Sequence, residues 1–446
     1  MPHASDPLPV LWLCGPAGVG KTTAGWEFFR GLTASGVTAG YADIDQLGIF
    51  LPGPPEDPDL HRLKTRNLAA VLANFRRRGA VCAVVSGIVD PVRGVYAGEL
   101  PGTELTVCRL RADPEELARR FTGRGMPAHL VQDTLDEAEG LDATGIGDLC
   151  IDTTGLPVAE VLRRMAERLG GWPVRGRRAR GGGPVRGRRA RDGGPARTPA
   201  GDCEGPGEIP GRARPGVEAR PLAEARAARP LPGRPGPGGA ATPSTSAEPG
   251  APAAGPRVLW LYGPTGVGKS TIGWQVHQRV NDSVRSAYLD LDQLAFLRPA
   301  PPGDPALHRL KADNLAALWR AYRDAGAAAL VVTGQVPDEA TAALYTAALP
   351  PAAVTLCRLR AGRTALVERI ISRGRGGSWA APGDPLKGRA VAELLRTAEG
   401  AVAAAAALDR AAPGHLCVDT DGRTVEESAA AVVAAWRRSH AAAAPP

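Results

Sequence analysis

The sequence predicts an α/β protein made of two three-layer αβα units, each with a five-stranded parallel sheet, joined by a disordered linker. Three observations predict it. Short apolar runs alternate with helix-length amphipathic stretches, the pattern of strands linked by crossover helices and covered on both faces. The distinctive blocks of residues 8–170 return in the same order in 257–438, which makes the chain read as a tandem duplication. Between them, residues 171–256 hold 19 Gly and 16 Pro in 86 positions, too little apolar content to offset the entropy of ordering.

Strands are expected at 10–14, 39–43, 81–86, 104–110 and 148–152 in the first half, and at 257–262, 286–290, 328–333, 353–359 and 415–419 in the second. The first strand of each half runs into a glycine-rich turn: Gly15-Pro-Ala-Gly18-Val19-Gly20-Lys21-Thr22-Thr23 and Gly263-Pro-Thr-Gly266-Val267-Gly268-Lys269-Ser270-Thr271. At a strand-to-helix junction such glycines let the backbone curl into a nest of N–H donors, and the following helix adds its positive end. Lys21 or Lys269 reaches the outer phosphates, and Thr22 or Ser270 holds Mg²⁺. Two P-loop domains that bind a nucleotide are therefore expected.

The second strand of each half ends in an acidic pair, Asp43-Ile-Asp45-Gln46-Leu47 and Asp290-Leu-Asp292-Gln293-Leu294. Carboxylates two apart at a strand end point to the same side, where one can hold a Mg²⁺ water shell (Asp43, Asp290) and the other an acceptor hydroxyl (Asp45, Asp292). A site at the carboxyl ends of parallel strands is where this fold class binds its ligands. The third strands end in Ser86-Gly87 and Thr333-Gly334, without the Asp-Glu pair that motor ATPases carry there.

Lysine usage is selective: of 54 Lys plus Arg only five are lysines, two of them in the glycine-rich turns. Lys64 and Lys311 form another matched pair. A helix starting near Pro58 with Asp57 as cap has Leu60, Leu63, Leu68, Val71, Leu72 and Phe75 as its apolar face, and Lys64 and Asn67 fall within that arc. Lys311 and Asn314 repeat the arrangement. A lysine on an inward face needs a partner or a ligand. These four residues are expected to face an acceptor pocket, with pairing to an aspartate as the structural alternative; His61 and His308, at the edge of the face, read as structural.

The glycine-rich turn, the D-x-D, the Ser/Thr-Gly and a later L-x-x-R-x-x-x-R together resemble the P-loop small-molecule kinases, the group that contains shikimate kinase, gluconate kinase, adenylylsulfate kinase and chloramphenicol phosphotransferase. The likeness covers residues 8–170 and 256–438 and stops at superfamily level. It implies phosphoryl transfer from ATP, with GTP left open, to a small-molecule acceptor. It also implies that Arg120 and Arg124, with Arg369 and Arg373, close over the phosphates as a lid, and that Asp152 and Asp419 lie in the loop passing the nucleotide base. The second lid region is longer by about 18 residues, around Gly374 to Gly388.

The linker carries 15 Arg against 7 Asp plus Glu, which equals the formal net charge of +8 of the whole chain, so the two halves are close to neutral. Only this segment offers charge to nucleic acid, and it lacks aromatic residues interleaved for base stacking. Seven cysteines show no metal-ligand spacing, and Cys108, Cys357, Cys150 and Cys417 are expected on buried strands. No uninterrupted apolar run of membrane-spanning length occurs, which points to a cytoplasmic protein without a membrane partner. Three activities fit: a small-molecule kinase, a nucleotide-gated regulatory ATPase or switch whose halves dock on each other or on a macromolecule, and a kinase acting on nucleic acid through the linker.

Overall fold

The computed structural model describes residues 6–123, 127–173, 255–349, 352–376, 384, 386–411 and 416–441. The expected linker, apart from its ends, lies outside them, as do Arg124 and much of the long second lid. The chain is a mixed α/β structure with two six-stranded, mainly parallel sheets. The first contains β1 (Leu8–Cys14), β2 (Ala39–Asp43), β4 (Cys82–Ser86), β5 (Thr103–Arg111) and β6 (Leu149–Asp152). The second contains β7 (Arg257–Tyr262), β8 (Ser286–Asp290), β10 (Ala329–Thr333), β11 (Ala353–Arg360) and β12 (Leu416–Asp419). These ten strands lie within one or two residues of their expected positions.

The sequence reading missed two short strands, β3 (Phe50–Leu51) and β9 (Phe296–Arg298), and each completes the sheet of the other half. Phe50 and Leu51 pair antiparallel with Ala287 and Ser286 of β8, and residues 296–298 pair with Tyr41, Gly40 and Ala39 of β2. The orders are β6-β5-β1-β4-β2-β9 and β12-β11-β7-β10-β8-β3. The physical reason is the edge: β2 and β8 end their parallel sheets, and a strand from the neighbour satisfies the backbone groups they would otherwise leave open.

Alternation along the first strands shows how the layers form. Leu11 and Leu13 face one apolar cluster with the helices Lys21–Ala34 and Val158–Leu169, whereas Val10, Trp12 and Cys14 face the other way. That second cluster also receives Val258, Trp260 and Tyr262 of β7, so the inner faces of both sheets share one core. Between them pack the helices His61–Arg77 and His308–Asp324. Polar contacts cross the joint: Asn74 Nδ2 donates to Asn314 Oδ1 at 2.7 Å, Tyr322 Oη to the Leu47 carbonyl at 2.8 Å, and Arg78 to Asp313 at 2.6 Å. Phe296 stacks edge-on against Trp26.

The helix expected near Pro58 begins at His61, because Leu60 turns into the left-handed region with φ 62°; Leu307 does the same at φ 59°. Asp57 still caps it, its carboxylate accepting from the amides of Arg62 and Leu63 at 3.2 and 2.8 Å, and Asp304 does so for the second helix. Cys108 and Cys357 are buried as expected, but Cys150 is half-buried and Cys417 exposed, since both sit on the last strand at a sheet edge. Among the described residues no helix is long and apolar enough to cross a membrane.

Candidate functional site

Both glycine-rich turns form the cradle their sequence implies. Gly15 has φ 138°, and a Cβ there would lie 2.3 Å from the carbonyl oxygen of Leu110; at Gly263 the clash is with Leu359 at 2.6 Å. Only glycine fits. Gly20 and Gly268, both left-handed, open the helices Lys21–Ala34 and Lys269–Asn281 with no side-chain cap, so the first-turn N–H groups remain available to an anion. Val19 and Val267 point into the cores and contribute backbone only. Thr23 and Thr271 are exposed in the first turn.

Each P-loop lysine folds over its own turn. Lys21 Nζ donates to the carbonyls of Gly15 and Pro16 at 2.8 and 2.9 Å, and Lys269 Nζ to those of Gly263 and Pro264 at 3.1 and 3.0 Å. Burial holds the Lys269 amine below its ordinary pKa.

The acidic pairs stand directly opposite. Ser270 Oγ donates to Asp290 Oδ2 at 2.6 Å, and Thr22 Oγ1 to Asp43 Oδ2 at 3.3 Å. The other oxygen of each of these aspartates accepts the amide of the second, Asp292 or Asp45, at 3.0 Å. Burial, followed by the neighbouring carboxylate, pushes Asp43 up to about 7 and Asp290 up to about 6. Asp292 moves down: burial opposes it, but Lys311 and Lys269 outweigh the burial. A hydroxyl beside a carboxylate is a hard-oxygen donor set of the kind Mg²⁺ uses while keeping most of its water, so the residues fit the metal. Among the described residues no cluster of three or more His, Cys, Asp or Glu is placed to hold a metal by itself.

The lysines on the inward helix faces reach the second aspartates. Lys311 Nζ lies 2.8 Å from Asp292 and Lys64 Nζ 3.6 Å from Asp45. The asparagines do something else: Asn67 and Asn314 are buried and donate to the carbonyls of Leu47 and Leu294 at 2.6 and 2.5 Å. These bonds tie the helix to the chain just after each acidic turn. His308 Nδ1 is bonded to the Tyr345 hydroxyl at 2.8 Å.

The lid arginines divide. Arg120 bridges the Val19 carbonyl, at 3.3 Å, and Thr153, whose carbonyl it reaches at 2.7 Å; Arg369 spans Val267 and Thr420 in the same way, at 3.3 and 2.9 Å. They are struts between the P-loop and the loop after the last strand. Arg373 pairs with Asp384 at 2.7 Å. Asp152 and Asp419 close turns by accepting from the amides of Thr154 and Asp421, and the adjacent Thr153 and Thr420 meet the arginines instead.

A cavity of about 970 Å³ opens on the second P-loop, lined by Gly266–Thr271, Arg369 and Arg373, with Asp290 and Asp292. Its wall also includes Asp43, Asp45 and Gln46 of the first half. Gln46, Gln293, Gln335 and Arg423 line it without having been assigned from the sequence. The glutamines carried a signal, since both acidic turns read D-x-D-Q-L.

No protein-family model matches the chain, and no curated protein does. Solved structures similar to it include the tunicamycin resistance protein of Deinococcus radiodurans, 22% identical over 41% of this chain and 95% of that one, with a TM-score of 0.28. A sugar kinase from a Janibacter species is 19% identical over 36% of this chain and 95% of its own, with a TM-score of 0.27. A gluconokinase from Sinorhizobium meliloti is 24% identical over the same two shares, with a TM-score of 0.24.

Proposed function

We propose that the chain binds Mg·ATP and transfers its γ-phosphoryl group to a small-molecule acceptor, through two duplicated P-loop units at 8–170 and 257–438. The observation that carries this reading is the Ser270–Asp290 contact of 2.6 Å beside Lys269, at the mouth of a cradle in which only glycine fits. Phosphoryl transfer demands positioning and neutralised charge more than covalent chemistry, and that arrangement supplies both. When bound, Mg·ATP brings the transferable phosphoryl group and the divalent charge. The cradle N–H groups and Lys269 hold the polyphosphate, Ser270 and Asp290 hold the metal, and Asp292 orients the acceptor hydroxyl while Lys311 keeps its carboxylate ionised. In the first half Lys21, Thr22, Asp43, Asp45 and Lys64 take the same roles.

Calorimetry of the full chain with Mg·ATP and Mg·GTP, followed by ADP release against a metabolite panel, tests the proposal. Absence of any magnesium-nucleotide binding would end it.

One feature favours a second reading, a nucleotide-gated switch with a macromolecular partner: the cavity is walled by both halves, so a ligand there touches each. A nucleotide-dependent change in hydrogen exchange across the joint, with no acceptor found in a wide screen, would select it.

A further inference from the structure

We propose that the acceptor at the second P-loop is a neutral or cationic polyhydroxy compound, a polyol or amino sugar rather than a carboxylate, and that Gln46 of the first half binds it in trans. The proposal rests on the kinase reading above and deepens it.

Sheet order lays the cavity out. Along the carboxyl edge of the second sheet the sequence is β12, β11, β7, β10, β8, and then the exchanged β3. The P-loop follows β7 and so divides the cavity in two. On the β11–β12 side the described charged lining residues are Arg369, Arg373, Arg423 and Glu368, a net positive wall. On the β10–β8 side stand Asp290, Asp292, Gln293 and Gln335, and beyond them Asp43, Asp45 and Gln46 of the first half. Among the described residues no cation lines that second side, because Lys311 and Lys64 approach Asp292 and Asp45 without themselves lining the cavity.

The strand exchange explains why a first-half turn is there at all. The chain leaves the first sheet at Asp43 and joins the second at Phe50, so residues 44–49 cross the joint. The crossing is fixed from the far side: the Leu47 carbonyl accepts from Tyr322 Oη at 2.8 Å, and the Ile49 carbonyl accepts from the Tyr288 amide at 2.9 Å. The backbone that carries Gln46, immediately before Leu47, is therefore fixed, and Gln46 lines the second half's cavity. Asp43, Asp45, Asp290 and Asp292 outnumber Lys64 and Lys311 behind them, so this side stays net negative and, with its amides, offers hydrogen bonds to hydroxyl and ammonium groups and disfavours an anion.

The test uses the full chain carrying Lys21→Ala, so that only the second P-loop turns over. Mg·ATP binding is measured by calorimetry, and ADP release is followed with two size-matched panels, polyols plus amino sugars and hydroxy-carboxylates. The proposal expects the first panel to accelerate ADP release. It also expects Gln46→Ala to raise the KM of the best acceptor about tenfold, the loss of one well-made hydrogen-bonding group, with kcat and the Mg·ATP Kd within about twofold, and Gln46→Asn to recover part of the loss. Acceleration only by hydroxy-carboxylates, an unchanged KM in Gln46→Ala, or Mg·ATP binding with neither panel active would each overturn it while leaving nucleotide binding in place. No Mg·ATP binding at all would instead remove the kinase reading on which it stands.

Discussion

The two P-loop regions share a frame and differ in how tightly it is drawn. In the second half the P-loop hydroxyl meets its aspartate at 2.6 Å and the lysine meets the second aspartate at 2.8 Å; in the first half the same contacts are 3.3 and 3.6 Å. The second half also has the longer lid region, and the cavity on its P-loop borrows an acidic turn from the first. The glycine-rich turn occurs in both halves, and the strand exchange brings residues of the first into the wall of the cavity on the second. The contacts around the acidic pair are shorter in the second region than in the first.

The sharpest break would come from the lysines. Lys269→Ala should lower ADP release by about 1000-fold, the scale of removing a charge-stabilising donor from a phosphoryl-transfer site. Lys21→Ala should cost distinctly less than Lys269→Ala if the more tightly drawn second half carries most of the turnover. Parallel assays on the two variants decide it, and equal losses would mean that both halves turn over alike.

Next in size is the exchange itself. Phe50 and Leu297, the central apolar residues of the swapped strands, are fully buried, and truncation of either to alanine should cost about 3 kcal/mol. Because both belong to one continuous core, each change should lower a single cooperative transition in calorimetry. Two separated transitions, only one of them moved, would show that the halves unfold independently and that the joint is weaker than its packing implies.

The acidic pairs give a pH test. A carboxyl whose native pKa lies above its unfolded value holds its proton more tightly when folded. The contribution of Asp43 and Asp290 to metal-free stability should therefore be fully present below pH ~4, the ordinary aspartate value, while Asp292, held low, works in the opposite sense. That contribution should fall as pH rises towards about 6 for Asp290 and about 7 for Asp43. Metal binding has the opposite demand, since Asp290 must be ionised to serve it. With Asp292 and Lys269 beside it, its protonation should make Mg·nucleotide affinity drop by up to about tenfold per unit below pH 6. Titrations at pH 5, 6 and 7 on the parent chain and Asp290→Asn check this; the variant's profile should be flatter.

Much of this frame was legible because it follows from local rules. The uninterrupted apolar run Val10–Cys14, glycines where the backbone must turn with positive φ, and carboxylates at a strand end each leave a mark in a few consecutive residues. What stayed hidden depends on partners far along the chain. Phe50-Leu51 and Phe296-Leu297-Arg298 are too short for any periodic signal, and nothing local says that each joins the other half. For Asn67 and Asn314 a polar group within an apolar arc signals only that a partner is needed, and the carbonyls of Leu47 and Leu294 that they reach could not be named from the helix alone. Arg120 and Arg369, which the resemblance puts over the phosphates, bond to carbonyls on either side of the glycine-rich turn, contacts that depend on residues about 30 to 100 positions away.

The smallest expected effects lie in the polar contacts across the joint, and they test whether the halves are held by specific bonds or by apolar packing alone. Asn314 is fully buried and serves two partners, donating to the Leu294 carbonyl and accepting from Asn74. Asn314→Ala leaves both unsatisfied and should cost about 2 kcal/mol, whereas Asn74→Ala, which loses one of these bonds, should cost about 1 kcal/mol. A double-mutant cycle should show a coupling of about 0.5–1 kcal/mol. The ion pair Arg78–Asp313, though at 2.6 Å, has side chains 26% and 32% exposed, so solvent screens it. Its coupling should stay near about 0.5 kcal/mol and shrink further in 0.5 M salt. If the ion pair proved stronger than the asparagine pair, charge rather than buried hydrogen bonding would be what sets the register of the two halves, and salt would loosen the shared cavity.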